Sequence, residues 1–141
     1  MKVSTKGRYG LQLMLELALQ WGRGPVLVAT IAQRQGLPPK YLHVLLGSLK
    51  AAGLLKVQRG PSGGCELSRA PSRIQVLEIL EILEGRLDGE PDSGDGAGSQ
   101  VVAALLARSQ AASRALLAKC SLADLADQQQ ALEAGSAGYA I

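Results

Sequence analysis

The side chains best suited to chemistry in this sequence are cationic, and most of them lie in its first half. Residues 1–70 contain ten Lys and Arg against two acids, whereas residues 71–141 contain five against ten. The net charge of the whole chain, +3, conceals this asymmetry. Because a DNA duplex carries one phosphate charge about every 1.7 Å along its axis, a basic half of this kind favours binding to DNA.

A glycine-rich segment, Arg59-Gly60-Pro61-Ser62-Gly63-Gly64, separates two short apolar runs at 54–58 and 65–67. Glycine and proline permit a tight turn with positive φ and allow the backbone to approach another molecule closely. The pattern predicts a two-stranded hairpin whose loop begins at an arginine.

Upstream of this hairpin the sequence predicts three helices joined by short turns. The first begins at Ser4 or Thr5, either of which can cap it, and has an inward face formed by Leu13, Leu17 and Trp21. After a short edge strand at 26–28, a second helix covers 29–35 and ends at Gly36, and a third covers 39–52. The third helix buries one stripe of leucines, at 42, 45, 46 and 49. Helix, turn, helix and hairpin is the order of a winged helix-turn-helix.

The second half of the chain begins with a helix at 74–83 that ends at Gly85 and turns its glutamates at 78, 81 and 84 outward. A segment with four glycines and four acids follows at 86–99. Little in it can be buried, so the composition predicts a flexible loop.

Two further helices are expected after this loop. A long one runs from Ser99 to Lys119, and a final one begins at the capping box Ser121-x-x-Asp124 and ends before Gly135. The long helix has more apolar surface than the preceding unit needs to cover itself. This excess predicts a homodimer whose interface contains Val102, Leu105, Leu106, Leu116 and Leu117.

These elements predict a fold that is mainly α with a small β-hairpin, in which a winged helix-turn-helix precedes a long C-terminal dimerisation helix. The chain divides into a DNA-binding region, a connecting helix, an acidic loop, dimerisation helices and a C-terminal tail, at 1–70, 71–85, 86–99, 99–134 and 135–141.

Composition argues against several other classes of protein. One histidine and two distant cysteines, Cys65 and Cys120, cannot form a usual zinc site, and they indicate no structural disulfide. No segment has the pattern of a leader peptide, and no apolar run approaches the roughly 18 residues needed to span a bilayer. We therefore expect a reduced, cytoplasmic protein without a membrane segment. No nucleophile with an orienting carboxylate is evident, so an enzyme is not expected.

Five parts of the sequence share their residues and spacing with one known family. They are Met1-Lys2-x-Ser4-Thr5-Lys6-Gly7-Arg8-Tyr9, Ile31-Ala32-x-Arg34-Gln35-Gly36, Tyr41-Leu42 with Leu49-x-x-x-Gly53-Leu54, Arg59-Gly60-x-x-Gly63-Gly64, and Leu122-Ala123-Asp124-Leu125. In these parts, and so over nearly its whole length, the chain resembles the Rrf2 family of bacterial winged-helix regulators. The resemblance implies a dimer of winged helices, crossed by the long helix of each subunit, that binds a near-palindromic operator and usually represses genes.

The sequence departs from the cluster-sensing members of this family in one loop. Those members place three cysteines before the dimerisation helix, whereas residues 86–99 contain none and offer Asp88, Glu90, Asp92 and Asp95. Iron-sulfur clusters require soft thiolate ligands, so a cluster of the usual kind is not expected. No metal ligands are assigned, and the sequence leaves a different ligand set open. In this respect the chain is closer to the cluster-free cysteine metabolism repressor of the family.

The third helix is expected to enter the major groove of DNA. Its exposed residues Lys40, Tyr41, His43 and Val44 would then lie near bases or phosphates, and the alternative is that they form only a solvated face. His43 stands where the family often has an acidic or amide residue. We therefore expect a changed operator preference.

Two other segments are expected to contact the duplex. Arg59 resembles the family's minor-groove arginine, and Gly63 and Gly64 would let the backbone approach. The start of the first helix would bind phosphates through free amides and through Ser4, Thr5, Lys6 and Arg8.

The last four residues, Gly138-Tyr139-Ala140-Ile141, resemble the C-terminal tail of serine acetyltransferases, which inserts a terminal Ile carboxylate into cysteine synthase. A free arm with an apolar end and a carboxylate suits such capture. The cysteine metabolism repressor of the family is a partner of cysteine synthase, so the resemblance implies this partner for Tyr139, Ala140 and Ile141. The alternative is that the tail folds back on the dimerisation helix.

The sequence leaves three functions open. The first is a repressor of cysteine and sulfur genes, and the second is a regulator that responds to redox or a ligand, for example through Cys65. A nearby Arg59 would lower the pKa of that thiol, although packing in the hairpin is the simpler explanation of a cysteine there. The third is a protein-interaction module without DNA binding, against which the basic half argues.

Overall fold

The computed structural model of the chain describes residues 2–59, 64–85 and 94–139, with side chains up to Gly135. The predicted class, mainly α with one small hairpin, is confirmed. In chain order the elements are α1 (Thr5–Leu19), α2 (Val28–Gln35), α3 (Pro39–Ala51), β1 (Leu55–Gln58), β2 (Gly64–Leu67), a 3-10 turn (Pro71–Arg73), α4 (Val76–Glu84), α5 (Ala97–Lys119) and α6 (Leu122–Tyr139).

The helix-turn-helix forms as its local sequence predicts. Gly36, in the left-handed conformation with φ of 65°, ends α2. Pro39 then occupies the first turn of α3, where the missing amide of proline leaves no hydrogen bond unmade. The leucines at 42, 45, 46 and 49 are all buried. The second helix of the pair is therefore held by one apolar face and leaves the other face exposed.

The hairpin is antiparallel, and Leu55 pairs with Leu67 at its base while Gln58 pairs with Gly64 near its loop. Leu55, Cys65 and Leu67 are buried in the core. The predicted contact residue Gly63 lies outside the described residues. The base of the hairpin is thus part of the same core as the helices.

Two predictions about the segment between α1 and α2 are wrong. Trp21 is 46% exposed, because α1 ends at Leu19 and Gly22, with φ of 86°, turns the chain away from the helix axis. The expected edge strand at 26–28 is a single bridge between Val26 and Cys65, since α2 already begins at Val28.

The helices of the second half also differ from their predicted bounds. α5 begins at Ala97 rather than at Ser99, and the acidic loop correspondingly ends earlier. Residues 86–93 of that loop lie outside the described residues. The capping box of α6 is confirmed, since the Ser121 and Asp124 amides each donate to the other residue's side chain, at 2.9 and 3.1 Å.

The expected free tail at 135–141 is corrected, because α6 continues through Gly135 to Tyr139. Glycine costs a helix about 1 kcal/mol relative to alanine, but it does not end a helix whose flanking residues remain helical. Ala140 and Ile141 lie outside the described residues.

The long helix α5 overturns one sequence argument about membranes. An 18-residue window in it reaches a mean hydropathy of 1.2, so it is long and apolar enough to span a bilayer. Every such window contains Arg108 and Arg114, and each arginine near the centre of a bilayer costs roughly 2.5–3.5 kcal/mol on insertion scales. Arg114 pairs with Glu81 of α4 at 2.6 Å. These charges match a helix that packs on protein better than one surrounded by lipid.

Candidate nucleic-acid interface

The exposed face of α3 carries the residues predicted to read DNA. Lys40 and His43 are exposed, and 58% of Val44 is accessible to solvent. Tyr41 is only half-buried, because its ring packs edge to face on Tyr9 of α1, with ring centroids 5.5 Å apart. This contact joins the first turn of α3 to the beginning of α1.

A buried charge fixes the orientation of α2 against α1. Glu16 has no exposed surface, and its carboxylate accepts hydrogen bonds from Arg34 at 2.7 Å and Gln35 at 3.0 Å, both at the end of α2. A buried carboxylate is costly unless it is paired and hydrogen-bonded in this way. The pairing therefore restrains the turn that leads into α3.

The base of the hairpin is joined to the segment before α2. The amides of Val26 and Cys65 donate to each other's carbonyl oxygens, at 2.8 and 2.9 Å. A Cβ atom on Gly64 would lie 2.5 Å from the Val26 carbonyl oxygen. The glycine at this position is therefore required by the protein's own backbone, which explains it without a close approach to DNA. Arg59, directly after β1, is exposed.

The amino-terminal end of α1 differs from the prediction in an informative way. Its amides were expected to be free for phosphate, but Glu84 Oε1 accepts from the Ser4 amide at 2.9 Å, from the Ser4 hydroxyl at 2.6 Å and from the Gly7 amide at 3.1 Å. The reason given for phosphate binding by Ser4 is therefore wrong. Thr5 and Arg8 are exposed and Lys6 is half-buried, so their side chains stay available as predicted contacts.

These contacts also change the acidity of Glu84. The hydrogen bond from the Ser4 hydroxyl is the largest cause that holds the pKa of the Glu84 carboxyl below its ordinary value. Partial burial opposes this effect, while the Ser4 and Gly7 amides and the charge of Lys6 add to it. Glu84 is therefore an anion throughout the physiological pH range.

The sequence did not reveal the role of Glu84, because the helical pattern predicted only that its side chain points outward from α4. The signal that was available is a pair of glycines inside α1, Gly7 and Gly10, three residues apart. A Cβ on Gly7 would overlap Glu84 Oε1, and one on Gly10 would overlap the side chain of Leu83. Glycines at this spacing on one helix face indicate that another helix approaches closely.

The predicted dimer residues lie on a helix whose surface is largely uncovered in the single chain. No residue of α5 is buried. Val102, Leu105, Leu106 and Leu116 are 51–71% exposed, and Leu117 is half-buried.

The two cysteines do not form a ligand set. Cys65 is fully buried in the hairpin, and Cys120 lies at the junction of α5 and α6. Within the part of the chain that the structure describes, no group of three or more His, Cys, Asp or Glu side chains could hold a metal ion. The donor set of this chain does not fit a cluster that needs three thiolates.

The thiol of Cys65 has the opposite acidity to that of a reactive cysteine. Burial raises its pKa to about 11, and it does not gain the activation by Arg59 that a redox switch would need. Its Sγ lies 3.7 Å from the Val26 carbonyl oxygen. The redox alternative at this residue is therefore disfavoured.

Comparison with known proteins gives a consistent result. The sequence model of the Rrf2 family, described as an iron-dependent transcriptional regulator, matches residues 3–128. The chain is 47% identical over 85 residues to the transcriptional regulator CymR of Bacillus subtilis, an alignment that spans 60% of this chain and 62% of CymR. It is 43% identical over 95 residues to a putative regulator of Synechocystis, slr0846, spanning 67% and 65% of the two chains. The alignments thus span less than two thirds of these curated relatives.

Solved structures extend the likeness over most of the chain. The structure of CymR, described as the global cysteine regulator of B. subtilis, superposes with a TM-score of 0.83 at 38% identity, covering 91% of this chain and 98% of that one. The IscR structure from T. potens gives a TM-score of 0.74 at 40% identity, covering 92% and 88%.

The burial of Cys65 predicts that it is chemically inert in the folded protein. In a Cys120→Ser variant at pH 7.5, we expect iodoacetamide to leave Cys65 unmodified, because only about one thiol in a thousand or fewer is ionised when the pKa is about 11. The same variant unfolded in guanidinium is the positive control and should react fully. Mass spectrometry measures both, and equal reaction rates in the folded and unfolded states would contradict the assignment.

Proposed function

Because this chain belongs to the Rrf2 family of transcriptional regulators, we propose that it is a regulator that binds duplex DNA and is not an enzyme. The observation that carries this proposal is the exposed face of α3, held beside the start of α1 by the Tyr9 and Tyr41 contact within a strongly basic half. Such a face has the size and charge to enter the major groove.

The predicted contacts other than Ser4 and Gly64 each have a role in this proposal. Lys40, Tyr41, His43 and Val44 on α3 contact base edges or phosphates in the major groove, and His43 makes the operator preference differ from that of relatives with an acid or amide there.

Arg59 enters the adjacent minor groove, where the close phosphates of the two strands attract a cation. Gly63, which has no side chain, lets the backbone approach the duplex there. Thr5, Lys6 and Arg8 bind phosphates through their side chains.

We propose further that the protein is a homodimer joined through α5. An isolated subunit leaves an apolar helix face in water, and burying such area stabilises an interface by about 25 cal/mol per Å². A two-fold dimer presents two α3 helices to half-sites about 34 Å apart on one side of the duplex, which explains a near-palindromic operator.

The regulated genes proposed here are those of cysteine and sulfur metabolism, with repression as the mode of action. Two observations support this proposal: the likeness to CymR, which is described as a global cysteine regulator, and a donor set that does not fit a three-thiolate cluster. The protein would accordingly work in the cytoplasm without an iron-sulfur cofactor of that kind.

Cysteine synthase is proposed as the partner that reports the cysteine supply. Because α6 continues to Tyr139, an arm able to enter a pocket requires the last turn of this helix to unwind. Gly135 and Gly138 make that unwinding inexpensive, since each lowers helix stability by about 1 kcal/mol relative to alanine.

Replacing Arg59 with alanine should weaken specific DNA binding by about 1–3 kcal/mol and reduce the salt slope by about one. The probe is the duplex that the wild type selects from a random pool, and fluorescence anisotropy at several salt concentrations gives both quantities. Arg23→Ala is the matched control, because Arg23 is an exposed cation of the same basic half beyond the other end of α1. Equal losses in the two variants would reject the assignment of Arg59 to the minor groove, and a wild type that selects no duplex would reject the DNA-binding function.

If α5 forms the dimer interface, a charged residue placed on its apolar face should weaken self-association. Leu105→Glu should convert a dimer into a monomer in sedimentation velocity, with self-association at least about tenfold weaker, because the carboxylate would have to be desolvated in the interface. Leu27→Glu is the control, since Leu27 is a similarly exposed apolar residue of the DNA-binding region. A wild type that sediments as a monomer, or a Leu105→Glu variant that remains a dimer, contradicts the interface.

Deletion of Ile141 should abolish association with cysteine synthase in titration calorimetry, because both the terminal side chain and the position of the carboxylate change. Ile141→Val keeps an apolar end and the carboxylate at the same place, and it should retain most of the affinity. Equal affinity before and after the deletion rejects the tail as the binding segment, whereas no binding by the wild type rejects the partner.

A further inference from the structure

Helix α4 carries three glutamates spaced one turn apart, and each is tied to a different part of the molecule. Glu78 pairs with Arg69, which follows the hairpin, and Glu81 pairs with Arg114 of the long helix α5. Of the three, only Glu84 binds the end of a helix, the amino-terminal end of α1. Its Oε1 atom accepts three hydrogen bonds, from the Ser4 amide, the Ser4 hydroxyl and the Gly7 amide.

The place that Glu84 occupies is the one that a phosphate group would otherwise take. The first turn of a helix presents unpaired amides and the positive end of its dipole, which together attract anions. At α1 two of these amide donors and the capping hydroxyl already have an anionic acceptor. A DNA phosphate approaching the same point would meet the negative charge of Glu84 in addition.

The donors around this point are therefore divided into two groups. Two backbone amides, those of Ser4 and Gly7, which could donate to a phosphate in any register, are satisfied inside the protein by Glu84. The side chains of Thr5, Lys6 and Arg8 extend from the same turn and remain at the surface. Because these three side chains project from fixed positions on α1, they reach phosphates only when the phosphates lie at matching positions. Their contacts therefore depend on the register of the protein along the duplex.

We propose that Glu84 is a positioning residue that determines the specificity of DNA binding, since it fixes the first turn of α1 and excludes phosphates from the Ser4 and Gly7 amides. The inference rests on the proposed DNA-binding function. In the correct register the side chains of α1 meet phosphates that avoid Glu84. In other registers the phosphates approach the carboxylate and are repelled, so non-specific binding is weakened more than specific binding.

The close packing of α1 on α4 allows Glu84 to contact the first turn of α1. Gly7 and Gly10 allow the two helices to approach so closely that Glu84, at the end of α4, contacts a residue 80 positions earlier in the chain. One turn before it, Glu81 links the same helix to α5 at 2.6 Å. The first turn of α1 is thereby placed relative to the proposed dimer helix, and hence relative to the second half-site.

The test is the ratio of specific to non-specific affinity in Glu84→Gln. This variant keeps the size of the side chain and removes its charge. Affinity is measured by anisotropy for the selected duplex and for a duplex of scrambled sequence at the same salt concentration. We expect non-specific affinity to rise about fivefold, as for the loss of one nearby repulsive charge, without a matching rise in specific affinity.

Glu81→Gln is the matched control, because it removes the same charge from the same helix one turn away, at a residue that contacts α5 rather than α1. Its affinity ratio should stay close to that of the wild type. Thermal unfolding of both variants shows whether they fold. A residue that only stabilised α1 would lower the melting temperature and leave the ratio unchanged, and that result would overturn the proposal.

A second measurement needs no DNA. In amide NMR spectra of the wild type, the Ser4 and Gly7 signals should shift with pH as Glu84 is protonated, at a midpoint below the ordinary value for glutamate, and this shift should vanish in Glu84→Gln. Absence of the titration in the wild type would overturn the contact. If the titration is present but no duplex binds, the proposed function fails; if duplexes bind with equal ratios in the wild type and Glu84→Gln, only this inference fails.

Discussion

The close packing of α1 on α4 is the constraint on which the rest of the structure depends. It exists because Gly7 and Gly10 have no side chains, so Leu83 and Glu84 can lie directly against the backbone of α1. α1 in turn contacts α2, α3, β2 and α6. Any change in the distance between α1 and α4 would therefore displace α1 relative to α2, α3, β2 and α6, which all pack on it.

Several carboxylates of this molecule position the helices that carry its exposed basic side chains. Glu16 is buried and holds α2 through Arg34, while the glutamates of α4 hold the region after the hairpin, the long helix and the start of α1. In each case the carboxylate has hydrogen-bonded partners, which is the condition for keeping a charge in a partly desolvated place. Cations of the first half outside these pairs, such as Arg8 and Arg59, are exposed at the surface, where the proposed duplex would provide an array of anions.

The relation of this chain to iron is best understood through its cysteines. The family is described as iron-dependent, but Cys65 is enclosed in the hairpin and Cys120 lies between two helices. A buried thiol with a pKa of about 11 is a poor ligand and a poor nucleophile, because both roles require the thiolate. These two cysteines therefore cannot supply the three thiolates that a cluster of the usual kind needs.

The sequence by itself determined the elements whose causes are local. Gly36 ended a helix because glycine, unlike the other residue types, adopts the left-handed conformation without steric cost. The capping box at Ser121 formed because its donors and acceptors lie within one turn. Burial of the α3 leucines followed from a helical period that needs no partner to be recognised. Only the tertiary structure decided what Glu84 binds, why Gly64 must be glycine, and that Trp21 is exposed. Each of these features depends on which part of the backbone lies against the residue in the folded chain. The contacting residues are as many as 80 positions apart in sequence, and only the packing of whole helices brings them together.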